Sequence, residues 1–198
     1  MAAALQYRQR HLDRFSELQD SYDRIADEYC KRIFDEPAHK PLDRQLLQRL
    51  ANTVKSGPIC DVGCGPGHVA RFLKSCEADV FGIDLSPRMI ELAQRLTPEI
   101  QFFQGNMLSL EGADDSCGGI AAVLRPGGTL LLAFHVGKET VHEDELWGYQ
   151  VSLDFKVLGI EGDRRAVACH RLSCAGDNRE RNIRRRRGVP EPARIHFR

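Results

Sequence analysis

The chain has 198 residues, of which 42% are hydrophobic and 28% charged, and its 28 basic residues balance 28 acidic ones. This length suits one domain with a substantial core. The composition excludes a collagen-like or wholly disordered chain, and no apolar run reaches the ~18–20 residues that a membrane span needs. The start shows no secretory signal and the seven cysteines lack regular spacing, so we expect reduced thiols and a cytoplasmic location.

The charges are distributed unevenly. Residues 159–198 contain eleven arginines, no lysine and five acidic residues, so they carry a charge of +6 while residues 1–158 carry −6. Such a segment supports only non-specific, salt-sensitive binding of nucleic acid, because Phe197 is its one aromatic residue. We interpret 156–198 as a divergent, Arg-rich and largely disordered segment.

Two helices are predicted before the first strand. Residues 5–34 contain no Pro or Gly, and their apolar and aromatic residues recur four positions apart, as in an amphipathic helix. Pro41 suits the first turn of a second helix, which ends before Gly57. We expect residues 1–40 to form a helical cover over the domain at 41–155.

From residue 59 the pattern alternates between strand and helix. Short apolar strands are predicted at 59–62, 80–83 and 100–103, with helices at 68–75 and from Ser86 onwards between them. Parallel strands need such crossover connections. The pattern therefore predicts an α/β fold with a Rossmann-like, doubly wound, mostly parallel sheet.

The pattern weakens after the third strand. A buried strand is expected at 129–134, and two further strands at 151–160 and 166–172 around a turn at 161–163. No core pattern follows, so we expect residues 173–198 to be a mobile tail.

The first strand leads into a glycine-rich turn, DVGCGPG at 61–67. Glycines at every second position permit a sharp turn and the close approach of a ligand, and the helix that follows offers free amides. A dinucleotide site requires G-x-G-x-x-G, but His68 stands where the last glycine would fall. Asp61 would repel a pyrophosphate and attract an α-amino group. The turn therefore favours a zwitterionic nucleoside over a dinucleotide.

These segments resemble the class I S-adenosylmethionine-dependent methyltransferases, which have a Rossmann-like fold. The resemblance rests on DVGCGPGHVARFL, GIDLSPRMIELAQR, FFQGNML and LRPGGTLLLAFHVG, and it extends from about residue 22 to residue 155. It implies that S-adenosylmethionine is the cofactor and that its methyl group is transferred to a small-molecule acceptor. No metal site is predicted.

The resemblance also assigns roles to individual residues. The methionine part of the cofactor would lie along the turn, lined by Asp61, Gly63, Gly65 and Gly67. Asp84, at the end of the second strand, would accept hydrogen bonds from both ribose hydroxyls, a task that suits a carboxylate.

Five further residues complete the implied cofactor site. Asn106 and Met107 match the positions that flank adenine in the family, and Leu85 is assigned to the same site. The usual residue at position 106 is acidic; an asparagine still accepts through its amide oxygen, and a turn asparagine is the alternative interpretation. Tyr22 and Tyr29 lie on the N-terminal helix that closes over the cofactor in relatives, with core packing as the other interpretation.

The chain departs from the family between Asn106 and Arg125. Only eighteen residues separate them, too few for the fourth strand, substrate-facing loop and helix of relatives. A spliced or truncated variant with an altered C-terminus would explain this. Besides a methyltransferase, we therefore consider a catalytically impaired cofactor-binding variant with a regulatory role or none. An NAD-dependent oxidoreductase is disfavoured by the glycine spacing.

His135 is the candidate general base, which is needed only if the acceptor must lose a proton. A histidine hydrogen-bonded in a loop is the alternative. His142, Trp147 and Tyr149 are candidates for an acceptor wall, although nothing in their spacing requires it. The sequence predicts neither the acceptor nor the oligomeric state.

Overall fold

The computed structural model describes residues 2–106, 124, 127–133, 135–136, 139–155, 157–158, 165–171 and 195–197. For residues 2–13, 135–136 and those after 155, only the backbone is described. The expectations about 107–123, where we expect the fourth strand of relatives to be missing, lie outside the described residues.

Helices cover one side of the fold. The first is the predicted amphipathic helix, and two more follow before the sheet: α1 Ala2–Ile33, α2 Glu36–His39 and α3 Pro41–Thr53. The sequence pattern did not predict α2. Its proline, Pro37, stands in the first turn, where a missing amide costs the helix no hydrogen bond. Ile25 and Ala26 of α1 are fully buried, and they lie on the predicted apolar stripe.

The predicted alternation of strands and helices is confirmed. It comprises β1 Ile59–Val62, α4 His68–Ser75, β2 Val80–Asp84, α5 Pro87–Leu96 and β3 Gln101–Gln104. The three strands form a parallel sheet in the order β1-β2-β3, with Ile59 opposite Val80 and Phe81 opposite Gln101. Ser86 caps α5 as expected, because its hydroxyl accepts the Met89 amide at 3.0 Å.

The main core lies between this sheet and helices α3, α4 and α5. Its buried side chains are Leu50, Ile59, Cys64, Ala70, Leu73, Val80, Ile90, Ala93, Ile100 and Phe102. Packing is tight at Gly82 in the central strand. A Cβ at that position would lie 2.6 Å from Cδ1 of Phe102 and 2.8 Å from Sγ of Cys64. The core therefore leaves no room for a side chain at Gly82.

The later part of the chain forms short strands. They are β4 Thr129–Leu132, β5 His135–Val136, β6 Val141–Leu146, β7 Tyr149–Phe155, β8 Val157–Leu158, β9 Arg165–Arg171 and β10 Ile195–Phe197. β9 pairs antiparallel with both β4 and β10, β5 pairs parallel with β8, and β6 and β7 form an antiparallel hairpin.

The hairpin predicted between 151–160 and 166–172 is wrong. β7 pairs instead with β6 across a two-residue turn, and β9 pairs with β4. The short turn explains why β7 pairs with β6, since closing a short loop costs less entropy than closing a longer one. A strand at the position of β7 was predicted from the sequence. In the structure its Val151 and Leu153 are buried against Ile25 of α1.

The strand predicted at 129–134 is shorter and less buried than expected. β4 ends at Leu132, which is 42% exposed, and it pairs with β9. Leu131 packs against the main core, so the strand covers the core with one face and leaves the other open. Among the described residues, β1 pairs with β2 alone. The tail predicted at 173–198 lies outside the described residues except for β10.

None of the helices that the structure describes is long and apolar enough to cross a lipid bilayer. The cytoplasmic location stays a prediction. So do the domain boundaries at residues 40 and 155 and the interpretation of 156–198.

We expect Gly82→Ala to lower the free energy of unfolding by about 1–3 kcal/mol, because the added methyl group has no space between Phe102 and Cys64. Urea unfolding followed by circular dichroism measures this. The control is Gln101→Ala, at an exposed position of the neighbouring strand, where a change within about 0.5 kcal/mol is expected. Equal stability of the two variants would contradict the tight packing at Gly82.

Candidate cofactor site at the glycine turn

The turn between β1 and α4 needs glycine at three positions. Gly63, Gly65 and Gly67 have φ values of 76°, 52° and 83°, which lie in the left-handed region that residues with a side chain rarely adopt. Gly67 is also buried, and a Cβ there would lie 2.8 Å from Cζ of Phe102. The glycine spacing is therefore required first by the backbone path of the turn, and at Gly67 by core packing as well.

Main-chain hydrogen bonds fix the turn onto the end of β2. The amides of Gly63 and Cys64 both donate to the carbonyl of Ile83, at 2.8 and 3.1 Å, and Gly67 donates to the carbonyl of Cys64 at 3.0 Å. The side chain of Cys64 is buried beneath the turn. The turn is thus a rigid platform whose position depends on the neighbouring strand.

Asp84 is held in a fixed orientation at the end of β2. Its Oδ2 accepts the Gly65 amide at 2.8 Å, and its Oδ1 accepts the Ser86 amide at 2.9 Å. Burial raises the pKa of this carboxyl group although these amides oppose the shift. Each carboxylate oxygen has a further lone pair, so both can accept a hydroxyl group.

Asp61, the last acidic residue before the glycines, is half-buried, and its Oδ2 is fully buried. Its carboxylate accepts the Ala70 amide in the first turn of α4, and burial raises its pKa to about 7, with a smaller contribution from the charge of Asp84. Among the described residues, nothing donates a hydrogen bond to its Oδ2. An unpaired buried carboxylate oxygen is costly, and it is best satisfied by a cationic donor.

His68 is a residue of this site that the sequence did not assign to it. It is the first residue of α4, and its buried Nδ1 has no partner in the described part of the chain. Its Nε2 lies 4.0 Å from Glu36 of α2. Burial lowers the pKa of the imidazole, which is thereby kept neutral. Sequence spacing alone gave no sign of this burial.

Helix α1 places two tyrosines against the turn. Cε1 of Tyr29 lies 3.7 Å from where a Cβ of Gly65 would be, and the rings of Tyr22 and Tyr29 meet edge to face with centroids 6.2 Å apart. Burial raises the pKa of Tyr29 to about 12, and the charge of Asp84 contributes to raising the pKa of both hydroxyls. Tyr29 therefore lies beside the turn and Tyr22 lies beside Tyr29, and the role of both at a cofactor stays a prediction.

Helix α1 is tied to the start of α5. Oδ1 of Asp23 accepts the hydroxyl of Ser86 at 2.5 Å and the amide of Arg88 at 3.1 Å, and Arg88 forms an ion pair with Asp27 at 3.0 Å. Asp23 thus caps a helix more than sixty residues away in sequence. The pattern of charges gave no indication of this contact.

The structure gives fewer contacts for the three other residues assigned to the cofactor site, Leu85, Asn106 and Met107. Leu85 follows Asp84 directly, and its carbonyl accepts Nε2 of Gln104 at 3.3 Å. Asn106 is half-buried. It lies at the same edge of the sheet as Asp84, since the amide of the preceding glycine donates to the carbonyl of Asp84 at 2.8 Å. Met107 lies outside the described residues.

His135 belongs to β5, which pairs with β8 and not with the three-stranded sheet, and its side chain is not described. Its role as a base stays a prediction. Within the described side chains, no three His, Cys, Asp or Glu residues are grouped so that they could hold a metal ion.

The geometry selects a chemical class of ligand. The carboxyl groups of Asp61 and Asp84, both of raised pKa, lie at the glycine turn, and the ring of Tyr29 packs against Gly65. A phosphate group would be repelled there. A ligand with a cationic donor near Asp61 and hydroxyl groups near Asp84 would satisfy both carboxylates.

Comparison with known proteins finds methyltransferases. Residues 59–126 match the family model of the methyltransferase domain. A trans-aconitate 2-methyltransferase of Rhodopseudomonas palustris (strain HaA2) is 32% identical over 84 residues, which cover 41% of this chain and 31% of that protein. A ubiquinone biosynthesis O-methyltransferase of Bordetella avium (strain 197N) is 32% identical over 88 residues, covering 43% and 34%. The chain spans about a third of the length of these curated relatives.

The fold is shared with solved structures. The DhpI-SAH complex matches this chain with a TM-score of 0.58 at 18% identity, and the match covers 73% of this chain and 81% of that chain. At this level of identity the likeness shows the fold alone. The family model and the methyltransferases among the relatives support a class I S-adenosylmethionine-dependent methyltransferase family for the part of the chain that they cover, and the shared structure is a Rossmann-like α/β fold.

Proposed function

We propose that this chain binds S-adenosylmethionine between the glycine turn and helix α1, and that it transfers the methyl group to a small-molecule acceptor. The observation that carries the proposal is the pair of carboxylates at the turn. Asp84 is oriented by the amides of Gly65 and Ser86, and Asp61 has a buried oxygen that no described residue donates to. A nucleoside with two ribose hydroxyls and an α-amino group would supply further donors to Asp84 and the missing donor to Asp61.

Each part of the cofactor has a proposed partner. The ribose hydroxyls donate to Asp84, and the α-amino group donates to Oδ2 of Asp61. Adenine lies beside Leu85, Asn106 and Met107, as the resemblance implies. When Asp61 and Asp84 are ionised, their charge also favours a ligand with a positive centre, and S-adenosylmethionine has one at its sulfur.

The sulfonium of the cofactor supplies an activated methyl group, so the protein has little bond-making chemistry to perform. Its residues hold the donor in one orientation relative to the acceptor and exclude water. The rigid turn and the two tyrosines serve the first task, since they fix the path of the methionine part. His135 is proposed as the base for an acceptor that must lose a proton.

Asp84→Ala should weaken binding of S-adenosylhomocysteine by on the order of 1.5–3 kcal/mol, the range for hydrogen bonds to a charged partner. Isothermal titration calorimetry measures it. The matched control is Asp79→Ala, which removes an exposed carboxylate near the opposite end of the same strand and should leave the affinity unchanged. If both variants bind like the wild type, Asp84 does not belong to the site.

Gly65→Val should abolish detectable binding. Its φ of 52° strains a β-branched residue, and the side chain would enter the space between the turn and Tyr29. The same titration, with circular dichroism to verify folding, tests this. A folded Gly65→Val variant that retains affinity would contradict the proposed path of the cofactor.

The raised pKa of Asp61 predicts two pH dependences. Because the pKa in the folded protein lies above the usual value, the contribution of Asp61 to stability is present at low pH and is lost as the pH rises through about 7. Each pKa unit corresponds to about 1.4 kcal/mol, so we expect a loss of roughly 2–4 kcal/mol between pH 5 and pH 8. Asp61→Asn should remove this part of the pH dependence of unfolding.

Binding should depend on pH in the opposite direction. A cationic amine near Asp61 favours the ionised carboxylate, so affinity for S-adenosylhomocysteine should rise as the pH increases through about 7. The Asp61→Asn variant should bind more weakly and with a flatter pH profile. Identical profiles for both proteins would exclude Asp61 as the partner of the amino group.

A further inference from the structure

The turn of the β6–β7 hairpin holds a residue in an unfavourable backbone conformation. Trp147 and Gly148 have φ values of 55° and 85°, so both central residues of the turn are left-handed. Such turns favour Asn or Gly at the first of these positions, and a bulky residue there is an outlier. The turn geometry does not explain the tryptophan, which indicates that its side chain is needed for a contact.

That contact is with helix α1. The ring of Trp147 lies 6.0 Å from the ring of Tyr29, centroid to centroid and tilted by 49°, and the guanidinium of Arg32 lies 4.8 Å from its centre. Trp147 is still 37% exposed, so it lies at the surface beside Tyr29 and not in a core. Aromatic and cation–π contacts at such a distance restrict the orientation of both partners.

Trp147 is not needed to attach the hairpin. Val151 and Leu153 are buried against Ile25, and the Ser152 amide donates to the hydroxyl of Ser21 at 2.9 Å. These contacts are several residues away from the turn. They hold β7 on α1 independently of the indole ring.

Tyr29 contacts the glycine turn as well as Trp147. Its Cε1 lies 3.7 Å from where a Cβ of Gly65 would be. The tyrosine ring therefore has the glycine turn as one neighbour and the indole of Trp147 as another. Loss of the indole would leave the ring free to move away from the turn.

We propose that Trp147 is a positioning residue that holds Tyr29 against the glycine turn and so completes the wall along the amino-acid part of the bound cofactor. This inference rests on the proposed function. Trp147 acts through Tyr29, so its effect is confined to ligands that carry the amino-acid part.

The test compares two ligands and two variants. S-adenosylhomocysteine contains the amino-acid part, and 5′-methylthioadenosine keeps the nucleoside without it. Trp147→Asn should weaken binding of S-adenosylhomocysteine about three- to tenfold, the range for an aromatic pair, and should change binding of 5′-methylthioadenosine less than twofold. Glu145→Ala, at an exposed position of the same hairpin, should change neither.

Two readouts separate positioning from a structural role. Because asparagine suits the turn better than tryptophan, Trp147→Asn should have an unchanged or higher midpoint of thermal unfolding. Trp147→Phe should recover most of the affinity for S-adenosylhomocysteine. In a Tyr29→Ala background, Trp147→Asn should have no further effect on binding, since the two residues act in series.

Each outcome supports or overturns the inference. A lower thermal midpoint with equal losses for both ligands would show that Trp147 is structural, and an unaltered affinity for S-adenosylhomocysteine would exclude any role in binding. If the wild type binds neither ligand, the proposed function fails and this role fails with it. If the wild type binds and Trp147→Asn binds equally well, only the positioning role is contradicted.

Discussion

The hydrogen bond from the Gly65 amide to Oδ2 of Asp84 connects the parts of this site. It joins the turn after the first strand to the end of the second, at the point where two amides of the turn also donate to the carbonyl of Ile83. Gly65 adopts a left-handed conformation within the turn, and its amide donates to Asp84 from there. The orientation of the carboxylate and the path of the turn therefore depend on each other.

The described protein stabilises the ionised forms of Asp61 and Asp84 only in part. Burial raises the pKa of both Asp61 and Asp84, and Oδ2 of Asp61 has no donor among the described residues. Such an arrangement reduces the stability of the free protein, and it is retained at functional sites because a ligand restores the missing interactions. A cationic group on the proposed cofactor would stabilise the ionised form of Asp61.

Sequence predicted the elements whose signals are local. The strand at Ile59–Val62 and the helix at His68–Ser75 were predicted to the residue, because short apolar runs, glycines and a helix period occur within a few residues of one another. Contacts between distant residues were not predicted. The Asp23 cap on Ser86 and the contact of Trp147 with Tyr29 join residues 63 and 118 positions apart, and neither leaves a local pattern. The pairing of β9 with β4 was missed for the same reason.

The most direct measurement is a calorimetric titration of the full chain with S-adenosylhomocysteine and, separately, with NADH. Both ligands contain adenosine, but only NADH places a pyrophosphate beside Asp61 and Asp84, where their charge repels it. The account predicts saturable binding of one S-adenosylhomocysteine per chain and no binding of NADH. Binding of NADH, or the absence of binding by S-adenosylhomocysteine to the folded chain, would contradict it.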